Sequence, residues 1–442
     1  MSASPSRSLW ARITSRLRRR PPRREEGMAL IMVVVMLAVI GASAADFSYN
    51  ARVDFASAIN ARESLRAHYL ARSAINLAKL PLRLQQQMID RDFYRNRGRF
   101  GMDIQLTDYI PLLLQAFKSR EDAEGLMSMF GVAAGGIKGL GVGKHEDFDL
   151  ELEPLDGRIN VNCAGGGANA GAPAVSRTAA SLAAMMMPLR YNWLFERADK
   201  DGQYNDRATV MRGLIDWADQ DRQMYGSSAP EDYQYNRGKD PYEVKDNYYD
   251  TIEELRLVRG VDELFMNAFG KQLTVYGRCK VSVSLADIPT LMALIMQYAE
   301  APHDPGLEIR NLTLLAHYLV QIRELMGGKF LRIGDFREAC ADPMAWLQKA
   351  TAQDSLLQAI SGESNEMQSS LPRVTGVKLS PKLGDVAFGS YAQRIFRVIA
   401  KAKVGKVEKR IIAIWDQNHI SSQAGPGGRH TGSGGFVYWR EE

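Results

Sequence analysis

An uncharged stretch near the amino end constrains this chain more than any other feature. From Gly27 to Ala45 the sequence GMALIMVVVMLAVIGASAA holds no charged side chain. Its length is close to the roughly 20 apolar residues that a helix needs to cross a bilayer. Before it comes an arginine cluster, Arg12, Arg16, Arg18, Arg19, Arg20, Arg23 and Arg24. Because such a cluster stays on the cytoplasmic side, the residues after Asp46 are predicted to face outward.

Three hypotheses account for the uncharged stretch. It could be a signal peptide cut after a small residue, since residues 42–44 make an acceptable A-x-A site. It could instead be an uncut anchor, or the start of a mature chain whose leader ends at Gly27. Residues 46–80 contain no Gly or Pro and repeat apolar side chains at helical spacing. This pattern predicts one long helix that begins in the membrane and ends near Pro81 in water.

The composition fits a membrane-anchored protein with globular parts. The chain has 442 residues and is 45% hydrophobic, which is enough for two domains beyond the helix. Its formal net charge is +5, but residues 1–27 carry eight Arg and two Glu, so the remainder has a charge of about −1. The part of the chain beyond residue 27 therefore lacks the basic balance typical of nucleic-acid-binding proteins.

Three cysteines leave the redox state open. They are Cys163, Cys279 and Cys340. A bridge between Cys163 and Cys279 would suit an oxidising periplasm, whereas the odd count suits free buried thiols equally well.

Strand patterns bracket a mainly helical region. Phe148–Ala164 alternates apolar and polar residues and carries an Asp-Gly turn signal, which predicts a β-hairpin. Leu273–Asp287 repeats this pattern and predicts a second strand pair. The helical region between the two would then be an inserted domain.

The carboxyl-terminal part holds the clearest sheet signal. Arg394–Asp416 alternates around Gly405, which predicts an antiparallel hairpin with one buried face. A Gly-rich loop follows, and the aromatic run Phe436–Trp439 predicts a last strand.

Acidic side chains cluster in the helical region. Asp216, Asp219 and Asp221 lie within six residues, and Glu231 follows ten residues later. Clusters of oxygen ligands suit Ca²⁺, which takes six to eight of them. The alternative is that Asp216 caps or pairs on a helix while the other carboxylates are solvated.

Two other classes of function find little support. The segment IEELRLVRGVDELF is similar to a helix-hairpin-helix, which often grips DNA phosphates, but Asp262 stands where the second Gly of the turn is needed. The six histidines show no metal-ligand spacing, and no GxSxG or HExxH motif occurs. We therefore predict a non-enzymatic protein that binds neither nucleic acid nor a small-molecule substrate. The alternative is an anchored or exported enzyme, or a DNA-binding protein with a helix-hairpin-helix-like module.

The chain resembles the K component of bacterial type II secretion systems, the large minor pseudopilin family GspK. The stretches LIDWADQD, APEDYQY, PYEVKDN and EELRLVRGV occur in the order and with the spacing of that family. The resemblance covers Gly27–Leu80 and Asp156–Ala286 and, more loosely, the terminal strands. The chain departs from the family in the stretch VSVSLAD, and residues 93–145 and 298–375 look like expansions.

The resemblance implies an α+β fold. A pilin-like long transmembrane helix at the amino end would pack on an antiparallel sheet, with a large inserted, mainly helical domain of the SAM-like or helix-hairpin-helix-like type. The predicted segments are a basic prepilin leader (1–27), the N-terminal helix, transmembrane in its first part (28–90), a variable expansion (91–147), pilin-type strands (148–165), the inserted α-domain (166–275), a second strand segment with a helical expansion (276–390) and C-terminal strands with a Gly-rich loop (391–442).

The resemblance also implies how the amino end is processed and used. Prepilin peptidase would cleave between Gly27 and Met28 and leave Met28 to be N-methylated. Ordinary pilins have Glu at the fifth mature position, where this chain has Met32. A buried carboxylate needs a partner, which the amine of the neighbouring subunit supplies in a filament. A subunit at the tip has no neighbour above it, so Met32 predicts a tip position, from which the protein initiates or caps the pseudopilus for export of folded proteins.

Calcium, partners and location follow from the same resemblance. The family is associated with calcium in its helical domain, so Asp216, Asp219, Asp221 and Glu231 are the candidate ligands. The expected partners are the I and J minor pseudopilins, contacted through the N-terminal helix, together with prepilin peptidase and the inner-membrane assembly platform. The expected location is the inner membrane, crossed once, with the bulk of the chain in the periplasm.

Overall fold

The computed structural model describes ten ranges of the chain. The described residues are 23–85, 146–165, 171–198, 202–236, 241–325, 330, 332–353, 374–389, 394–418 and 434–442. Four predicted features lie wholly or mostly outside them: the leader up to residue 22, the expansion at 91–147, residues 354–373 of the second expansion, and the Gly-rich loop at 419–433.

These residues form the α+β fold that the sequence predicts, with helices, short strands and one four-stranded sheet. The helices are α1 (Arg23–Leu84), α2 (Gly171–Met186), α3 (Asn192–Phe195), α4 (Arg207–Asp216), α5 (Glu263–Phe269), α6 (Ile288–Tyr298), α7 (Ile309–Leu325), α8 (Ile333–Ala341) and α9 (Pro343–Gln353). The strands are β1 (Glu146–Pro154), β2 (Ile159–Asn160), β3 (Leu273–Thr274), β4 (Val281–Ser282), β5 (Ala387–Phe388), β6 (Ile395–Val404), β7 (Val407–Asp416) and β8 (Gly435–Glu441).

Helix α1 is the predicted long helix. Its apolar part is long and apolar enough to cross a membrane, and none of that part is buried within the described residues. Pro81 lies inside α1, which continues to Leu84, so the predicted end near Pro81 comes three residues too early. A proline this close to the helix end removes one backbone hydrogen bond in the last turns, where little helix remains to be disrupted.

The carboxyl-terminal part of α1 packs closely because its buried face is made of small residues. The Lys79 ammonium lies 5.1 Å from the centre of the Phe436 ring, and the Arg83 guanidinium lies 6.0 Å from that of Trp415. These contacts place the end of α1 against β7 and β8. The buried residues of this face are Ala67, Ala71, Ala74, Ile75, Ala78 and Leu82.

The four-stranded sheet has the order β1-β6-β7-β8. Strands β6 and β7 form the predicted hairpin, and Gly405 supplies the positive φ of 59° that its turn needs. A side chain at Gly405 would also displace the Glu63 carboxylate, which lies 2.5 Å from an added Cβ atom. Strand β8 pairs antiparallel with β7, so the predicted last strand is confirmed.

The predicted hairpin in Phe148–Ala164 is wrong, because its two strands belong to different sheets. Strand β1 lies beside β6, whereas β2 pairs in parallel with β3. Between them the buried Asp156 carboxylate accepts hydrogen bonds from the backbone N–H groups of Arg394 and Ile395, at 2.7 and 3.0 Å. A Cβ atom on Gly157 would lie 2.5 Å from the Leu285 carbonyl carbon, so glycine serves here for close approach.

The second predicted strand pair is wrong for the same reason. Within Leu273–Asp287, strand β3 pairs with β2, and β4 pairs in parallel with β5. The similarity of the two sequence segments is nevertheless structural. Each supplies a two-residue strand to a separate two-stranded parallel sheet.

Contacts divide the chain into two compact units. One comprises residues 1–70, 143–147 and 402–409, and the other comprises the remainder. In the second unit a single cluster of buried side chains extends from Ile159 to Ala387 and includes residues of both predicted segments, 166–275 and 276–390. The segments thus share one hydrophobic core.

A disulfide links Cys163 to Cys279 across 116 residues of sequence. Of the two hypotheses for the thiols, the bridge holds for this pair, while Cys340 is a free and buried thiol. A bridge over so long a loop stabilises the folded state by about 4 to 5 kcal/mol, mainly by restricting the unfolded chain. It links the segment that follows β2 to the segment that precedes β4.

Candidate functional site

The predicted acidic cluster forms where helix α4 ends. Asp206 caps the start of this helix by accepting a hydrogen bond from the Thr209 N–H at 2.7 Å. Asp216 is its last residue, and Asp219 lies in the turn that follows, where its own N–H donates to the Ile215 carbonyl. A carboxylate at a helix carboxyl end is electrostatically unfavourable, so Asp216 needs a compensating charge.

Three of the four predicted ligands come together. One carboxylate oxygen from each of Asp216, Asp219 and Glu231 lies within 4.8 Å of the other two. Asp216 and Glu231 are only 2% and 3% exposed. Glu231 opens a short 3₁₀ helix, Glu231–Gln234, which returns the chain to the end of α4 after the loop.

Several oxygens of this cluster have no hydrogen-bond partner among the described residues. By hydrogen-bond geometry they are both carboxylate oxygens of Glu231 and Oδ1 of Asp219, all buried, and the Asp246 carboxyl is the polar group that approaches Glu231. Only one oxygen of Asp216 is engaged by the loop, since its Oδ1 accepts from the Tyr225 N–H at 2.7 Å. Buried carboxylate oxygens without donors are costly, and a cation would satisfy them.

The electrostatics of the cluster agree with this geometry. Burial raises the pKa of Asp216 to about 7, aided by the charge of Asp221 and opposed by the Tyr225 N–H. Burial, with the neighbouring carboxylates, also raises the pKa of Asp219 to about 7 and the pKa of Glu231 to about 9. In the absence of a cation the three carboxyl groups therefore remain protonated to a higher pH than ordinary carboxyl groups do.

The fourth predicted ligand stands outside the set. Asp221 is exposed, and its Oδ1 accepts a hydrogen bond from the Gln223 N–H at 2.8 Å. Its charge still raises the pKa values of the three clustered carboxyls.

A further carboxylate near the cluster escaped the sequence analysis. Asp246 raises the pKa values of both Asp219 and Glu231 through its charge. It has a positive φ of 50°, rare for a residue other than glycine, and such strained positions concentrate at functional sites. Asp246 lies in PYEVKDN, one of the stretches that carry the resemblance to the K family. That membership was the signal in the sequence that could have identified it. Nothing in the spacing linked it to residues 15 to 30 positions earlier.

Hydrogen bonds hold the segment that carries Asp246. The Val244 N–H donates to the Asp232 carboxylate at 3.0 Å, and the Asn247 N–H donates to the Trp217 carbonyl at 3.3 Å. The Lys245 ammonium forms an ion pair with the Glu254 carboxylate at 2.9 Å. Asp232 has a structural role here.

Aromatic rings lie beneath the acidic cluster. Trp217 follows Asp216 directly and is buried, with its ring centre 6.4 Å from that of Tyr249 and 6.0 Å from that of Tyr235. The Tyr249 hydroxyl donates to the Leu214 carbonyl of α4 at 3.0 Å. This apolar surrounding desolvates the carboxylates and explains their raised pKa values.

The ligand set fits a hard divalent cation. All of its donor atoms are carboxylate oxygens, which Ca²⁺ and Mg²⁺ prefer, whereas nitrogen and sulfur ligands select zinc. Three carboxylates would carry more negative charge than one such ion neutralises, and the orphaned oxygens supply open ligand positions. The residues present therefore fit calcium.

The helix-hairpin-helix-like turn is occupied by packing contacts. Asp262 caps α5 by accepting from the Phe265 N–H at 3.0 Å, and it pairs with Arg197. A Cβ atom added to Gly260 would lie 2.6 Å from Cγ2 of Val210 in α4, so the turn rests directly on that helix. A carboxylate paired within the fold, and not an open backbone donor, stands at the position that phosphate would approach.

The residues predicted for processing and filament position lie in the apolar part of α1. Met28 and Met32 are 61% and 62% exposed, so neither contributes to the core of the described residues. Gly27 has no other heavy atoms within 4 Å of an added Cβ atom.

Comparison with known families identifies the region around the acidic cluster. Residues 157–278 match the family described as "Type II secretion system (T2SS), protein K". The matched segment contains the three clustered carboxylates, Asp246 and the turn at Gly260. No curated protein matches the chain.

One solved structure shows a weaker likeness. It is described as the crystal structure of the GspK-GspI-GspJ complex from the enterotoxigenic Escherichia coli Type 2 Secretion System. The match has a TM-score of 0.37 and 14% sequence identity, and it covers 76% of this chain and 99% of that chain.

The family that residues 157–278 match is described as a component of a secretion system and not as an enzyme, which disfavours the hypothesis of an anchored enzyme. The candidate anchor is likewise consistent with it, since α1 is long and apolar enough for a single membrane crossing. Residues 157–278 are thus similar to the protein K family of the type II secretion system, and this similarity covers that part of the chain.

Proposed function

We propose that this protein is the tip subunit of a type II secretion pseudopilus, where it initiates or caps assembly. The observation that carries the proposal is Met32, an apolar residue at the fifth position after Gly27 in a chain with a protein K domain. A Glu at this position would be buried among helices, and at the tip no subunit above would supply an amine to pair with it. An apolar side chain avoids that penalty.

The amino end would be prepared by prepilin peptidase. Cleavage between Gly27 and Met28 removes the arginine-rich leader. Until then, the positive charges of the leader hold the amino end of the chain on the cytoplasmic side of the membrane. The rest of the chain lies in the periplasm, and the Cys163–Cys279 disulfide supports this location because such bridges persist in oxidising compartments. The assembly platform in the inner membrane then receives the processed helix.

The partners would be the I and J minor pseudopilins. Beyond the uncharged stretch, α1 continues to expose large apolar side chains, which include Phe47 at 76%, Tyr49 at 68% and Phe55 at 69%. Outside a membrane such a surface is unfavourable unless other helices cover it. Packing against the equivalent helices of I and J buries this face and draws α1 out of the bilayer.

Calcium would stabilise the domain that stands at the tip. We propose Asp216, Asp219 and Glu231 as direct ligands, with Asp246 as the neighbouring charge and Asp221 at the rim. Because the ion binds the folded domain and not the unfolded chain, it adds stability by mass action where calcium is plentiful, as outside the cytoplasm. The domain would then reach full stability only after it has crossed the membrane.

Replacement of Met32 tests the tip position. We expect Met32→Glu to lower secretion strongly in a strain that lacks its own K component, because an unpaired buried carboxylate costs about 3 to 5 kcal/mol. Met32→Leu is the matched control and should secrete normally. Membrane fractionation must show equal insertion of both variants. Wild-type secretion by Met32→Glu would contradict the tip position.

Calcium should raise the melting temperature of the full-length protein in detergent. At a calcium concentration 100-fold above Kd the gain is about 2.7 kcal/mol, or roughly 5 to 10 °C for a domain of this size. Asp219→Asn should remove most of the shift, whereas Glu300→Gln, an exposed residue outside the cluster, should keep it. Equal melting temperatures for the wild type with calcium and with a chelator would overturn the calcium proposal.

Calcium-depleted protein should become less stable as the pH rises. The folded state binds more protons than the unfolded state between pH 4 and the raised pKa values of about 7 and 9, so the free energy of unfolding falls from pH 5 to 9. Glu231→Gln should flatten the upper part of this profile. Melting curves at each pH measure it, and calcium should give a growing stabilisation in the same range. Identical profiles for wild type and Glu231→Gln would contradict the assigned electrostatics.

A further inference from the structure

A second polar site lies in the helical body, away from the acidic cluster. It is a cleft of about 200 Å³ beside the Cys163–Cys279 disulfide. Its apolar lining includes Ile159, Val281 and Val386. Its charged lining consists of Arg177 from α2, Lys280 from the segment before β4, and Asp385 from the segment before β5.

The two cations of the cleft are available for a ligand. Arg177 makes no hydrogen bond or ion pair with any part of the chain that the structure describes. The exposed Lys280 ammonium donates to the Gly384 carbonyl at 2.8 Å and has two further donors. Arg177 and Asp385 both act on the nearby Tyr298 hydroxyl: burial raises the pKa of Tyr298, Arg177 lowers it and Asp385 raises it.

The other polar groups of the cleft are satisfied within the fold. The Asn160 amide donates to the Gly277 carbonyl at 3.0 Å, the Thr178 hydroxyl donates to the Ala174 carbonyl at 2.9 Å, and the Ser181 hydroxyl contacts the Gln297 side chain at 3.0 Å. These bonds and the disulfide fix the walls. Arg177 and Lys280 are thus the open donors of a preformed cleft.

Size and charge limit what the cleft can hold. Its volume is below the 300 to 1,000 Å³ typical of sites for drug-sized ligands, so it admits a group of only a few carbon atoms. Arg and Lys favour a carboxylate, and the apolar lining favours an aliphatic body. Asp385 would repel a second negative charge.

We propose that this cleft binds the carboxylate of a small aliphatic acid, either a free acid or the carboxyl end of another protein chain. Arg177 and Lys280 hold the carboxylate, and Ile159, Val281 and Val386 contact the aliphatic part. Asp385 selects singly charged ligands over doubly charged ones. The site lies outside the acidic cluster and depends on neither calcium nor the position of the protein in the pseudopilus.

Calorimetric titration of the full-length protein in lipid nanodiscs tests the proposal, with empty nanodiscs as the blank. Butyrate should bind, and its uncharged analogue butyramide should bind at least about tenfold more weakly, since a charge-assisted hydrogen bond contributes about 1.5 to 3 kcal/mol. Succinate should bind more weakly than butyrate, and Asp385→Asn should reduce that difference. Absence of butyrate binding, or equal binding of butyramide, would overturn the proposal.

Variants locate the binding in the cleft. Arg177→Gln should weaken butyrate binding about tenfold, whereas Arg310→Gln, an exposed arginine on α7, should leave it unchanged. Equal melting temperatures of the two variants show that the loss is not caused by unfolding. Unchanged binding by a folded Arg177→Gln would contradict the assignment.

A short peptide that ends in an aliphatic residue distinguishes the two sources of the carboxylate. Binding of the free-acid peptide but not of its carboxyl-terminal amide indicates a protein chain end. Butyrate binding without binding of either peptide indicates a free acid. If the peptide binds equally well as acid and as amide, the carboxylate proposal fails.

Discussion

Repulsion among buried carboxylates is the constraint on which the protein K domain depends. One carboxylate oxygen from each of Asp216, Asp219 and Glu231 lies within 4.8 Å of the other two. The neighbouring aromatic rings of Trp217 and Tyr249 help to exclude water from them. Burial and mutual repulsion disfavour their ionised forms and raise their pKa values, and a bound cation would stabilise those forms. The loop between α4 and the 3₁₀ helix at Glu231 and the segment that carries Asp246 converge on this point. Charge neutralisation therefore decides how firmly these loops are held.

The same electrostatic reasoning applies to Met32 in α1, where the proposed outcome is the opposite one. In the acidic cluster a compensating cation would allow buried carboxylates to remain, whereas at the fifth position of the proposed mature chain the carboxylate is replaced by Met32. The cluster thus suits an ion-rich aqueous compartment, and Met32 suits a helix contact that lacks a partner amine. Helix α1 has small residues on its buried face and large exposed apolar residues where subunits would meet.

Features encoded by local periodicity were predictable from the sequence, whereas those that depend on distant partners were not. The long helix, the hairpin around Gly405 and the strand at Phe436 follow from spacing and turn residues. Alternation in Phe148–Ala164 indicated strands, but it could not show that β1 pairs with β6 and β2 with β3. At the site, nearness in sequence suggested Asp221, which is exposed, while the fold supplies Asp246 from a distant segment. The disulfide likewise needed three-dimensional proximity to be distinguished from free thiols.

Determination of the mature amino terminus is the most direct test of whether the protein is a pseudopilin that assembles through α1, because such a protein must begin where prepilin peptidase cuts. The full chain would be produced together with a prepilin peptidase, extracted from membranes and analysed by intact and peptide mass spectrometry. We expect a chain that begins at N-methylated Met28, and one that retains the leader when the peptidase is absent. A chain that begins at Ala45 whether or not the peptidase is present would mean signal-peptidase cleavage and a protein released from the membrane, which would contradict assembly into a pseudopilus.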